Sequence, residues 1–128
     1  MHAIDTNVLV RVLARDDAKQ ATAAESFVQG GAWVSLLVLM EACWVFNTVF
    51  EVSAQKLLAA LEMLLEHDTI ALQDPDIVRS ALAHFRGRPN LGFSDCLILE
   101  VARKAGHVPL ATFDRNLSKL PDTQRLVT

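Results

Sequence analysis

Cysteine is scarce in this 128-residue chain, which argues against a fold stabilised by several disulfide bonds. Its two cysteines, Cys43 and Cys96, lie inside apolar helical runs, where reduced and packed thiols are commoner than a disulfide. The first residues also lack the basic start and apolar stretch of a secretory signal. We therefore expect a protein of the cytoplasm.

A surplus of basic residues is also missing. The chain has 12 Lys and Arg against 15 Asp and Glu, a net charge of −3, so its composition does not indicate a nucleic-acid binder of the basic-patch type. Only residues 32–50 form a long apolar run, and Glu41 lies at its centre without basic flanking anchors. These features argue against a membrane span. We predict instead a buried strand and then a helix buried on all sides.

Linkers, repeats and low-complexity tracts are absent, so we predict a single domain over residues 1–128. The hydrophobic content of 52% and mean hydropathy of +0.27 are high for a soluble chain, and they suggest that another protein molecule covers some apolar surface. Four large residues either line such an interface or belong to the core: Trp33, Trp44, Phe46 and Phe50.

Short apolar runs alternate with helical patterns along the chain. Strands are predicted at residues 1–4, 32–35, 69–72 and 108–112, with a short fifth candidate at 124–127. Helices are predicted at residues 6–14, 18–29 and 36–50, and after Ser53, Asp74 and residue 93. Parallel strands need such crossover connections, so the order predicts an α/β protein with helices on both faces of a parallel sheet. Ligands of these folds bind beyond the carboxyl ends of the strands.

Four acidic residues occupy unusual positions. Asp5 and Asp114 follow the first and fourth predicted strands, Asp95 opens a helix, and Glu41 lies in the apolar helix after the second strand. The predicted topology gathers all four at one sheet edge. Each also has a simpler interpretation: a helix cap for Asp5 or Asp114, a favourable helix-dipole position for Asp95, or a buried ion pair for Glu41.

Carboxylates so close together would not all ionise without a cation. Two negative charges about 5 Å apart repel by roughly 3 kcal/mol at an effective dielectric of about 20. Oxygen ligands favour Mg²⁺ or Mn²⁺ over zinc, and a pair of such ions binds both the attacking and the leaving oxygen of a phosphodiester. The pattern therefore indicates metal-assisted phosphodiester hydrolysis.

The segments around the acids carry a family resemblance. In order and spacing they resemble the motifs of PIN-domain ribonucleases, above all the VapC-like toxins of bacterial toxin–antitoxin pairs. The matching segments are Ile4-Asp5-Thr6-Asn7-Val8-Leu9, Leu39-Met40-Glu41, Phe93-Ser94-Asp95-Cys96-Leu97-Ile98 and Leu110-Ala111-Thr112-Phe113-Asp114-Arg115.

The resemblance implies a three-layer α/β/α sandwich with a central, mainly parallel sheet of four to five strands. It further implies a Mg²⁺- or Mn²⁺-dependent endoribonuclease that forms a homodimer and is blocked by a cognate antitoxin, with structured RNA such as tRNA as substrate. Motif matching makes four residues the catalytic metal ligands: Asp5, Glu41, Asp95 and Asp114. Polar residues that would orient these carboxylates are Thr6, Asn7 and Thr112. Some relatives carry a further acid just before the third motif. In this chain the residues there, Gly92 and Ser94, are neutral.

Substrate contacts are predicted for arginines in or beside the loops of the site, because guanidinium groups bind phosphate bidentately. Five arginines are candidates, Arg11, Arg15, Arg86, Arg88 and Arg115, and the last three lie in or beside these loops. Two other function classes stay open. Aspartyl-phosphatase chemistry would use Asp5 as nucleophile, but the chain has Asn7 where a second acid is usual. A PIN-like module without activity would bind RNA or protein.

Overall fold

The structure is a computed structural model that describes all 128 residues, and it forms two compact units, Met1–Pro75 and Asp76–Thr128. The first unit contains a three-stranded parallel sheet in the order β1 (His2–Ala3), β2 (Ala32–Val34) and β3 (Ile70–Leu72). Ala32 pairs with His2 on one side and with Ile70 on the other. Parallel pairing brings the carboxyl ends of the three strands to one edge.

Four helices complete the first unit, and a side chain caps the start of each. They are α1 (Thr6–Ala14), α2 (Ala18–Gln29), α3 (Leu36–Thr48) and α4 (Ala54–Glu66). Asp5, Asp17, Ser35 and Ser53 each accept a hydrogen bond from the backbone N–H three residues further on. These short-range bonds satisfy donors that the helix leaves open, which explains why α1 and α2 begin at the predicted residues.

The apolar run at residues 32–50 forms a strand and a helix, as predicted, but α3 is not buried on all sides. Leu39, Ala42, Cys43 and Phe46 form its buried face. On the opposite side Leu37 is 82% exposed and Trp44 is 62% exposed. A helix that is apolar on every face gives no sequence signal for the face that packs. No helix of the structure combines the length and apolar character that a membrane crossing requires.

The four large residues predicted for a core or an interface divide between the two. Phe46 is a core residue, Phe50 is half-buried, and Trp33 and Trp44 are exposed. Trp44 is therefore the one most available to a partner.

The second unit contains nearly all of α5 (Pro75–Gly87), then α6 (Phe93–Ala105), β4 (Leu110–Thr112), a 3₁₀ turn at Leu117–Lys119 and β5 (Thr123–Arg125). β4 pairs with β5 in parallel, with Leu110 opposite Thr123. All five predicted strands therefore occur, and every strand pair is parallel; hydrogen bonds group them as three and two. The predicted α/β fold class is confirmed.

Helix α6 buries a different face from the one that its aliphatic residues predict. Ile98 and Val101 are exposed on this helix, although the neighbouring Leu97 is buried. Glu100 is buried instead, with one carboxylate oxygen 3.3 Å from His84 Nε2 and 3.6 Å from Arg103 Nη1. Ion pairing offsets the cost of burying that carboxylate. A count of apolar residues misses this arrangement.

Candidate active site

Asp5 lies two residues after the end of β1 and caps α1. Its Oδ1 accepts a hydrogen bond from the Val8 N–H at 3.0 Å, and the side chain is exposed. Asp5 therefore does cap α1. The capping bond uses Oδ1 and leaves Oδ2 for another partner, so capping and metal binding are compatible at this residue.

Glu41 is joined to the same turn by a side-chain hydrogen bond. The buried hydroxyl of Thr6 donates to Glu41 Oε1, and Thr6 follows Asp5 in sequence. The expectation that Glu41 lies deep is wrong, because the residue is exposed on α3. Its partner is a hydroxyl and not the buried Arg or Lys of the simpler interpretation. Thr6, next to Asp5 in sequence and bonded to Glu41, thus links the first two candidate carboxylates. Asn7, the next residue, is exposed.

Asp114 is fixed by the backbone that follows β4. Its Oδ1 accepts hydrogen bonds from the N–H groups of Asn116, at 2.7 Å, and Leu117, at 2.9 Å. Its own N–H donates to Thr112 Oγ1 at 2.9 Å. Thr112 therefore orders the backbone of the turn rather than touching the carboxylate. The result is an exposed carboxylate with a defined orientation.

Asp95 lies in the first turn of α6, and the negative charge of Asp114 affects its pKa. Burial raises the pKa of Asp95 above its ordinary value, and the neighbouring negative charge of Asp114 raises it further. A like charge acts this way only when it is close. Asp95 and Asp114 thus form a pair of candidate carboxylates, and a cation beside them would remove their repulsion.

None of the four candidate acids forms a salt bridge, whereas other acids of the chain are neutralised by bases. Arg11 pairs with Asp16, Arg15 with Glu25, Arg103 with Asp122 and Lys104 with Asp76. The four motif acids are therefore among the acids of the chain that no base neutralises in this way. Their hard oxygen donors suit Mg²⁺ or Mn²⁺. Within each compact unit, no group of three or more His, Cys, Asp or Glu side chains is placed to hold a metal ion.

The raised pKa of Asp95 predicts how stability depends on pH. A carboxyl group that binds its proton more tightly in the folded state stabilises the protein below its ordinary pKa of 3.8, and this contribution is lost as pH rises through the raised value. Asp95→Asn is therefore expected to raise the melting temperature at pH 7 in EDTA. The gain should shrink on acidification and vanish below about pH 4. Thermal unfolding at several pH values measures it.

Asp76→Asn provides a control, because the pKa of Asp76 is shifted in the opposite direction to that of Asp95. A hydrogen bond from Lys104 lowers the pKa of Asp76, so this residue stabilises the fold above its ordinary pKa. Its substitution should leave the melting temperature unchanged or slightly lower at pH 7. An Asp95→Asn protein that melts below the wild type at pH 7 in EDTA would contradict the predicted repulsion.

The predicted phosphate-binding arginines, Arg86, Arg88 and Arg115, are all exposed. The N–H of Arg88 donates to the His84 carbonyl at 2.9 Å, which fixes its backbone after α5. Arg115 directly follows Asp114. Exposure is compatible with phosphate binding by each of the three.

The family model of the PIN domain matches residues 3–122 of the chain. The chain belongs to the PIN-domain family. The match includes all four candidate acids and extends over most of both compact units. PIN domains are in general metal-dependent nucleases. A comparison with curated proteins gave no match.

Sequence reasoning missed one polar residue of this PIN domain, Gln73. Its Oε1 accepts a hydrogen bond from the Leu36 N–H at 2.9 Å, at the start of the helix that carries Glu41. Its own N–H donates to the Val34 carbonyl at 2.8 Å. The signal was available, because a polar residue directly after a predicted parallel strand lies at the ligand-binding edge. Gln73 therefore helps to position α3.

Proposed function

We propose that this PIN domain is a Mg²⁺- or Mn²⁺-dependent endoribonuclease, the toxin of a toxin–antitoxin pair, which hydrolyses structured RNA such as tRNA. Its carboxylates would come from Asp5, Glu41, Asp95 and Asp114. The observation that carries the proposal is that these motif acids lack basic partners, while Asp95 and Asp114 repel each other. Such a charge distribution favours a divalent cation.

Divalent cations, when bound, would stabilise the negative charge that develops on the phosphate and its leaving oxygen. The protein's own contribution is orientation. Thr6 holds one oxygen of Glu41, and the backbone N–H groups of Asn116 and Leu117 hold Asp114. Water adds to phosphorus, the P–O ester bond breaks, and the leaving oxygen takes up a proton. Arg86, Arg88 and Arg115 would bind the flanking phosphates.

The direct test is incubation of the purified protein with tRNA and other structured RNA in Mg²⁺ or Mn²⁺, with EDTA as the control. We expect defined fragments with either metal and none in EDTA. Sequencing the fragment ends gives the cleavage site. Failure to cleave any RNA would contradict the proposal, as would equal cleavage by the Asp5→Asn variant.

Metal binding gives a second measurable result. Mn²⁺ at about 100 times its Kd should stabilise the wild type by about 2.7 kcal/mol, because the cation binds only the folded state. Differential scanning calorimetry should show a higher melting temperature with Mn²⁺ for the wild type and a smaller rise for Asp95→Asn. A wild type whose melting temperature is insensitive to Mn²⁺ would count against the metal site.

A PIN-like module without catalytic activity is the second candidate, and one observation favours it: neither compact unit holds a group of three or more potential metal ligands. Such a module would bind RNA without cutting it. Isothermal calorimetry that detects RNA binding but no Mn²⁺ binding would support this function over the nuclease.

The exposed face of α3 is the surface that we assign to a protein partner, either a second copy in a homodimer or the antitoxin. Leu37 and Trp44 lie there with little cover, and large exposed apolar residues of this kind commonly mark interfaces. Light scattering should show a dimer or a co-purifying small protein. A monodisperse monomer without a bound protein would contradict the assignment.

A further inference from the structure

A cavity of about 640 Å³ opens in the first unit beside Asp5, lined by the end of β1 and by residues of α1 and α2. Half of the residues that line it are alanine or branched aliphatic residues. The groups with more specific chemistry are Asn7, Arg11, Gln20 and Phe27. A few polar groups in a mainly apolar cavity of roughly 300–1,000 Å³ are typical of small-ligand sites.

Phe27 provides an aromatic surface in this cavity. The residue is 48% exposed although it is large and apolar. Its ring lies 5.9 Å from the His2 ring, centroid to centroid, in a tilted arrangement. Aromatic side chains with a free face bind nucleic-acid bases by stacking, with little dependence on which base is bound.

Arg11 and Gln20 place polar groups at the same cavity in a fixed arrangement. Arg11 Nε donates to Gln20 Oε1 at 2.6 Å, and Arg11 Nη1 donates to Asp16 Oδ1 at 3.2 Å. The Gln20 amide nitrogen and Arg11 Nη2 take no part in these bonds. Asn7 adds a second amide with one acceptor and one donor group. Groups of this kind read the hydrogen-bonding edges of unpaired RNA bases.

The charge at the cavity favours a base over an anionic group. Asp5 is part of the wall and would repel a phosphate or carboxylate that is not accompanied by a cation, and Asp16 already neutralises Arg11. A neutral planar ring with polar edges is not repelled by Asp5 and does not need the positive charge of Arg11. We propose that this cavity binds a nucleobase of the RNA substrate next to the phosphate that is cut. The inference rests on the proposed nuclease function, since Asp5 connects the two sites.

Steady-state cleavage kinetics test this base site. Phe27→Ala and Phe27→Leu should each raise KM about 10-fold, because both remove the stacking face. Phe27→Tyr, which keeps that face, should restore KM to near the wild-type value. The turnover number kcat should stay within about 2-fold in all three variants, since the base contact exists in the ground state as well as in the transition state.

Met63→Ala is the matched control, because Met63 is 47% exposed on α4 and does not line this cavity. Its KM should equal that of the wild type. An unchanged KM in Phe27→Ala would overturn the base site. So would a KM that rises in Phe27→Ala but not in Phe27→Leu, because this result would indicate a general apolar contact, as for a peptide segment.

If the wild type cuts no RNA, nucleotide binding decides the inference. Nucleosides, which carry the base without a phosphate, should shift the backbone amide signals of Arg11, Gln20 and residue 27 when titrated at millimolar concentration into the ¹⁵N-labelled protein. Phe27→Ala should abolish the shifts. If the wild type cuts no RNA but shows these shifts, the cavity binds a base and only the nuclease proposal is wrong. If the shifts are also absent, both proposals are wrong. Cleavage by the wild type with an unchanged KM in Phe27→Ala leaves the nuclease and overturns the base site alone.

Discussion

The Asp5→Asn variant should lose RNA cleavage almost completely, with kcat reduced by about 10³-fold, while its melting temperature stays close to that of the wild type. The amide has no charge to offer a divalent cation, and loss of several kcal/mol of transition-state stabilisation has an effect of this size. Asparagine caps helices as well as aspartate does, so the bond from the Val8 N–H survives. Gel-based cleavage and thermal unfolding measure the two results.

Two variants separate catalysis from capping. Asp17 caps α2 through a bond of the same length, 3.0 Å, from the Gln20 N–H, so Asp17→Asn should leave both activity and stability unchanged. Asp5→Ala should lose the activity and also about 1 kcal/mol of stability, because alanine cannot cap. Comparable cleavage by Asp5→Asn and the wild type would remove Asp5 from the site.

The largest expected effect on stability belongs to Phe93→Ala. Phe93 is fully buried at the start of α6, and its ring packs edge-on against the Phe85 ring at 6.0 Å between centroids. Truncation of a buried phenylalanine costs about 3–5 kcal/mol, out of a total free energy of unfolding of roughly 5–15 kcal/mol. Urea unfolding followed by circular dichroism should show this loss.

The control for Phe93→Ala is the same substitution at an exposed position. Phe113 is 65% exposed, so Phe113→Ala should change the unfolding free energy by less than about 0.5 kcal/mol. Phe93→Leu should cost less than Phe93→Ala, since it leaves a smaller cavity. A loss as large in Phe113→Ala as in Phe93→Ala would show that burial does not explain the effect.

Much of the candidate site follows from sequence because its determinants are short-range. Asp5 and Asp114 each follow a strand and accept backbone hydrogen bonds from residues within three positions. A reader of the sequence sees both the strand and the turn that follows it. Capping and metal binding remain indistinguishable at this level, because one carboxylate can serve both purposes.

The contacts that distinguish these acids come from residues distant in sequence. The bond between Thr6 and Glu41 joins residues 35 positions apart, and Gln73 bonds to Leu36 across 37 positions. The cavity beside Asp5 likewise needs α2 packed beside α1. No local pattern specifies such contacts, since each depends on how separate elements pack.

The sequence by itself determined the family, the parallel strands and the start of each capped helix, and it selected the four candidate acids. These properties depend on motifs, on strand and helix periodicity and on capping bonds that span a few residues. Only the tertiary structure decided that Glu41 and Trp44 are exposed on α3 and that Glu100 is buried on α6. The physical reason is that the buried face of a helix is selected by its neighbours, through apolar contact and ion pairing over long sequence distances.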